Sequence, residues 1–241
     1  MKIAVLSDIH GNSWALKEVL KDIDKRKPDL LVNLGDSLYG PLKPLETFQL
    51  IKSRKIISIS GNEDRLILNH TTMNPTLEYV INDLNDEALL WLRSLKFTDT
   101  FAPGIFLCHG TPASDSTYLL EDLSTNQIST KDSGEIENEL EFIDHNIILC
   151  GHSHLSKVVQ ITEKIIINPG SVGCQAFDDD IPIFHKVENH SNYAQYCIIE
   201  LIQKKIHIDQ IFVPYDFDEA ANCAVKNNRP DWAHWIRTGK V

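Results

Sequence analysis

Short apolar runs alternate along this chain with stretches in which apolar residues return every three or four positions. Lys2–Ser7 is mostly apolar and reads as a strand, and Ser13–Lys27 places Leu16, Val19, Leu20 and Ile23 on one helical face. Leu30–Leu34 is a second strand ending in Gly35-Asp36, and a loop marked by Gly and Pro leads to a helix around Leu45–Ser53. Lys55–Ser60 is a third strand, ending at Gly61-Asn62. From Asp64 to about Arg93 the pattern is helical with a break at Asn74-Pro75, and Glu87–Leu95 carries Ala88, Leu89, Trp91 and Leu92 on one face. Phe106–Cys108 and Ile147–Cys150 each run straight into a histidine, and the polar segment Thr111–His145 between them reads as helical with weak periodicity. Lys157–Thr162, Lys164–Ile167, Tyr196–Ile202 and Lys205–Val213 resemble strands, followed by a helix at Asp216–Asn227. The alternation predicts an α/β layered architecture, β-sheets flanked by helices, with reactive loops at the carboxyl ends of the strands. One domain over residues 1–241 is expected, with helical cap segments at 64–101 and 111–146.

Composition narrows the function classes. The chain of 241 residues is 42% hydrophobic and 24% charged, the balance of a folded globular protein. A net charge of −11 repels polyanions, which weighs against bulk DNA or RNA binding but leaves room for a small anion held by metal. The sequence turns polar soon after Met1, which argues against a signal peptide. No apolar run approaches the roughly 20 residues that span a bilayer, so no membrane association is expected and the cytoplasm is the predicted location. Cys108, Cys150, Cys174, Cys197 and Cys223 are odd in number and lack a Cys-x-x-Cys, so neither a disulfide framework nor a thiolate zinc site is expected.

The candidate chemistry lies where strands stop. Asp8-Ile9-His10, Gly35-Asp36, Gly61-Asn62-Glu63-Asp64, Cys108-His109-Gly110 and Gly151-His152-Ser153-His154 occur in that order. Asp8 and His10, like His152 and His154, are two apart, which on extended backbone sends both side chains of a pair to one face, where they could hold metal together. Carboxylate, imidazole and amide oxygen suit manganese, iron, zinc or nickel, whereas an all-oxygen set favours magnesium or calcium. Taken singly, such dipeptides are ordinary turn chemistry. Their joint occurrence in one order is what points to metal.

That ordered set resembles the motifs of calcineurin-like metallophosphoesterases over residues 1 to about 173. It is most similar to the small bacterial and archaeal members, because Asn168-Pro169-Gly170-Ser171-Val172-Gly173 and Val213-Pro214-Tyr215-Asp216 match runs that those proteins carry. The resemblance implies two divalent transition-metal ions, manganese or iron ahead of zinc or nickel. Asp8, His10 and His154 would hold one, Asn62, His109 and His152 the other, and Asp36 would bridge them. Two such ions about 3.5–4 Å apart polarise phosphoryl oxygens and lower the pKa of a bridging water, so that hydroxide attacks phosphorus. Asp36, Asn62 and His109 are on this basis the catalytic core.

Further residues have two readings each. Glu63 stands where many relatives have histidine. A carboxylate beside two cations is a poor acid at pH 7, so this residue favours substrates whose leaving group departs easily. Asn12 contacts substrate or caps the following helix, Arg65 clamps a phosphate or is a solvated helix charge, and Asp64 orients a ligand or caps its helix. His70, His145, His185, His190, His207 and His234 fall outside the motifs and read as structural or surface groups. Trp232, Trp235 and Ile236 pack the last helix on the core or on a second copy in a homodimer. The expected partner is a small phosphorylated substrate, a phosphodiester or a nucleotide or dinucleoside polyphosphate. A phosphomonoester, or a non-catalytic protein-binding scaffold on the same fold, is the alternative.

Overall fold

Side chains alternate faces along a strand, and strands apolar on both faces must be covered on both. The computed structural model describes every residue except 71, 72, 102, 103, 125, 126 and 204. Its elements are β1 (Lys2–Leu6), α1 (Ser13–Arg26), β2 (Leu30–Asn33), α2 (Pro44–Ser53), β3 (Ile57–Ser58), α3 (Asn62–Asn69), α4 (Pro75–Asp83) and α5 (Asp86–Ser94). There follow β4 (Asp99–Phe101), β5 (Ile105–Leu107), β6 (Glu121–Asp122), β7 (Ser129–Thr130), α6 (Ser133–Glu139), β8 (Ile147–Leu149), β9 (Lys157–Ile161) and β10 (Lys164–Asn168). The chain ends with β11 (Ala176–Asp179), β12 (His185–Glu188), β13 (Ala194–Ile202), β14 (Lys205–Val213), α7 (Phe217–Lys226) and α8 (Pro230–Thr238).

Two five-stranded sheets form, in the orders β14-β13-β1-β2-β3 and β4-β5-β8-β10-β9. The pairs β1–β2 and β2–β3 are parallel, as are β5–β8 and β8–β10, with antiparallel strands outside them. Ile3 and Val5 meet Ile105, Leu107, Ile147, Leu149 and Ile167 in the cluster between the sheets. The alternate residues Ala4 and Leu6 face Leu16, Phe48, Ala221 and Ile236 in the helical layer outside the first sheet. Ile148 and Ile166 do the same on the second sheet, where Ile136 and Leu140 cover them. Each apolar side chain so buried contributes roughly 1.5–3 kcal/mol, which leaves polar groups only the strand ends.

The polar segment 111–145 differs from its expected helix. Its described residues are mostly loop, with the short β6–β7 hairpin and, among them, helix only at Ser133–Glu139. Polar side chains there bind the local backbone instead of building an apolar face: Thr111 Oγ1 accepts from the amides of Ala113 and Ser114. In the other segment, α3, α4 and α5 bury Ile67, Leu77, Val80, Ala88 and Leu92 in the main helical layer. Cys108, Cys150, Cys174 and Cys197 are buried, and all five cysteines are free thiols. Among the described residues no helix is long and apolar enough to cross a membrane.

Candidate metal centre

The loops that follow β1, β2, β3, β5 and β8 meet at one edge of the paired sheets. They carry Asp8 and His10, then Asp36, Asn62 as the first residue of α3, His109, and His152 with His154. The convergence does not come from extended backbone, as the two-residue spacing suggests. Asp8 (φ 54°), His10 (51°), Asp36 (51°), His152 (68°) and His154 (58°) all lie in the left-handed region. That conformation costs a residue with a Cβ on the order of 1 kcal/mol or more, and it recurs where a site over-determines the backbone. Of the two pairs Asp8 and His10 stay together, joined by His154 in one cluster of donor atoms, whereas His152 separates from His154 and joins Asp36 and His109 in another, the division the resemblance implies.

The chain approaches itself closely here. Gly35 has φ +106°, and a Cβ on it would lie 2.6 Å from the Gly61 nitrogen. A Cβ on Gly61 would collide with the Asp36 carboxylate, to which the Glu63 amide donates at 2.9 Å. Asp64 is buried and caps α3 while tethering its neighbour loop, since its carboxylate accepts from Gly61 N at 3.2 Å and Ser37 N at 3.0 Å. Asn168 donates to Gly151 O at 2.8 Å and Ser153 Oγ at 3.1 Å, and Ser171 Oγ donates to Asp8 O at 2.8 Å. The 168–173 turn therefore joins loops of the two sheets.

The hydrogen bonds of the rings test whether these groups suit a cation. Nδ1 of His10 faces Tyr39 O at 3.0 Å, Nδ1 of His109 faces Leu34 O at 2.8 Å, and Nδ1 of His154 faces Cys174 O at 2.6 Å. A carbonyl only accepts, so each Nδ1 carries the hydrogen and each Nε2 is turned to the centre. Nε2 of His10 and Nε2 of His154 are 3.0 Å apart, an arrangement that needs a proton or a cation at the pair. Asp8 Oδ1 is buried without a hydrogen-bond partner, 3.4 Å from His154 Nε2 and 3.9 Å from His109 Nε2. His109 Nε2 is also 3.0 Å from Asn62 Oδ1 and 3.3 Å from Asp36 Oδ2. Imidazole nitrogens, carboxylates and an amide oxygen crowded in this way fit a divalent transition metal.

Protons take up the same role in the ion-free protein. Burial opposes a charge on His109, yet Asp36 and then Asp8 overcome it and raise the ring to about 10. Burial likewise opposes His10, and Glu63 with Asp36 and Asp8 raises it to about 9. Burial and then the charge of His109 depress His152 to about 4. Asp36 is held well below the ordinary carboxylate range against the effect of its burial, chiefly by His109. Burial pushes Glu63 up to about 7, while its bond to His10 works the other way.

The residues expected to touch substrate fare differently. Asn12 is committed as a cap: its Oδ1 accepts from Ala15 N at 3.1 Å, and its Nδ2 donates to Gly173 O at 2.9 Å and Tyr215 at 3.3 Å. Arg65 is half exposed on its helix and its guanidinium is engaged by Asp115, at 2.7 and 2.8 Å. Glu63 does reach the centre, with Oε2 3.1 Å from His10 Nδ1, and with His10 and Asp36 it makes a third cluster of donor atoms. A cavity of about 260 Å³ opens over the centre, walled by Tyr39, Phe177, Arg229 and Trp232. A second, of about 630 Å³, lies beside it against Tyr118, Leu123 and Ile181–Ile183. Asn62, His152 and Asp179 line both. The Trp232 and Trp235 pair was legible only as a packing stripe; the β11–β12 hairpin, polar and short, gave no strand pattern.

Residues 1–190 match the model of the calcineurin-like phosphoesterase superfamily domain. The chain belongs to that superfamily. It is 28% identical over 262 residues to an uncharacterized protein, MJ0912, of Methanocaldococcus jannaschii, covering 95% of this chain and 94% of the relative. Its fold is similar to that of a metallophosphoesterase from Sphaerobacter thermophilus (TM-score 0.77, 20% identity, 99% of each chain covered). It is similar also to the hypothetical protein PH1004 from Pyrococcus horikoshii OT3 (TM-score 0.76, 20% identity, 99% of this chain and 98% of that one). The calcineurin-like phosphoesterase assignment makes the chain a hydrolase of the phosphoester class, in a family that works with divalent metals.

Proposed function

We propose that this protein hydrolyses small phosphodiesters or dinucleoside polyphosphates with two divalent transition ions, manganese or iron foremost, acting in the cytoplasm. The observation that carries this reading is the pair of donor clusters, Asp8–His10–His154 and Asp36–His109–His152, placed side by side at the junction of two cavities. Asn62 adds its amide oxygen beside His109. When bound, the ions polarise phosphoryl oxygens and make water acidic enough to yield hydroxide at neutral pH. The chain's own contribution is orientation: three carbonyls fix three rings, and the Glu63 amide with the backbone of Gly61 holds the Asp36 carboxylate.

Substrate shape follows from the cavities. A phosphorus held at the shared wall of Asn62, His152 and Asp179 can extend one substituent toward Trp232 and another toward Tyr118, whereas a simple monoester would leave one side unused. Among the described residues that line the smaller cavity, no lysine is present to bind phosphate. Arg229, the one arginine among the described residues of its wall, is paired with Asp231 at 2.6 Å and lies over Trp232, which leaves the attraction for phosphate to bound ions. Turnover with manganese tests the proposal on bis-p-nitrophenyl phosphate, p-nitrophenyl phosphate and diadenosine tetraphosphate, with Asp36→Asn as the inactive control. Faster hydrolysis of the diester and the dinucleotide is expected. A preference for the monoester would overturn the substrate ranking, and metal uptake without turnover of any of them would favour a binding scaffold.

A further inference from the structure

We infer that Tyr118, oriented by His185, is the positioning residue for His152. The inference rests on the two-ion reading above, in which His152 is a ligand. His10, His109 and His154 each have Nδ1 on a main-chain carbonyl, which fixes both tautomer and ring angle. The ring of His152 has no such partner among the described residues; only its backbone amide is engaged, donating to Asp8 Oδ2 at 3.2 Å. The terminal torsion of a histidine is broad and roughly two-fold, so without a hydrogen bond the ring angle has to come from packing.

Two rings flank it. His109, itself a candidate ligand, lies 5.1 Å away between centroids, and Tyr118 lies 4.8 Å away at 48°. Tyr118 is in turn fixed at its far end, where its hydroxyl and Nε2 of the buried His185 are 2.8 Å apart. Nδ1 of His185 faces Ile183 O at 2.8 Å and so carries the hydrogen, which makes Nε2 the acceptor and Tyr118 the donor. The His185 ring also stands edge-on to Tyr118, at 5.6 Å and 86°. The β11–β12 hairpin thus reaches His152 through His185 and Tyr118, while its Phe177 lies directly on His154 at 4.6 Å between ring centroids. Neither Tyr118 nor His185 belongs to a motif that the sequence displays.

The test is cobalt binding to the full chain after chelation, read by titration calorimetry and by the visible absorption of the bound ion. Tyr118→Leu removes the ring, Tyr118→Phe keeps the ring but loses the hydroxyl, and His185→Leu removes the acceptor. Tyr118→Leu should weaken cobalt binding about 10–100-fold and shift the absorption band, as loss of an outer partner does at metal sites. Tyr118→Phe and His185→Leu should move both readouts in the same direction by less. Should Tyr118→Leu fail to fold, the near-isosteric Tyr118→Phe decides the matter. Parent affinity and an unaltered spectrum in the variants that fold would overturn the positioning role alone. A parent chain that takes up no cobalt would overturn the two-ion reading with it.

Discussion

The Asp36 carboxylate rests against the backbone of Gly61, so the smallest side chain at 61 already meets it. In Gly61→Ala either the carboxylate or the start of α3 has to shift, and Asn62 is the first residue of that helix. Overpacking of this kind costs about 1–3 kcal/mol, and the donor atoms move with the backbone. The variant should therefore unfold at lower denaturant and bind manganese more weakly than the parent. Unchanged values of both would show that the contact relaxes freely. At this scale the sequence was informative wherever a side chain is the functional group, since the acids, histidines and asparagine of the centre were legible from their order. It was silent on Tyr39 O, Leu34 O and Cys174 O, because a carbonyl belongs to every residue and carries no signature. It also misattributed the cause of convergence, since five of the candidate ligand positions are left-handed and not extended.

Among elements, the readable ones are those buried on both faces or amphipathic at a clear period. β1, β2, α1 and α7 match their expected bounds closely because their apolar residues have only one place to go. The segment after His109 was not readable, because its structure is made by side chains bonding to the local backbone. Arg65 ties α3 to that segment through Asp115, whose carboxylate is 9% exposed while the arginine is half exposed. Removing the guanidinium in Arg65→Met leaves the carboxylate only its bond from Ser116 Oγ at 2.9 Å, at a cost of about 1–3 kcal/mol. Stability should fall by that amount while KM stays near the parent value. A tenfold rise in KM at unchanged stability would restore the role of phosphate clamp.

For the whole molecule, the centre is a joint between two sheets. Asp8, His10, Asp36 and Asn62 leave the first sheet, and His109, His152 and His154 leave the second. Any cation shared among them stabilises the folded chain over the unfolded one, by about 2.7 kcal/mol at a free concentration of 100 times Kd. Protons compete for the same nitrogens. In the ion-free protein His10 and His109 are raised from 6.5 to about 9 and about 10. A raised histidine stabilises the fold fully below its unfolded value, and that contribution is lost as pH climbs through the folded value. The chelated protein should therefore lose stability between pH 6.5 and 10. Metal must displace those protons, so its affinity, and the rise in Tm that manganese produces, should grow over the same interval with net proton release on binding. Melting curves with EDTA and with manganese at pH 6, 7.5 and 9 separate the two effects. A manganese-induced rise in Tm that is flat across this range would show that His10 and His109 do not give up protons to the metal, and would remove them from the ligand set.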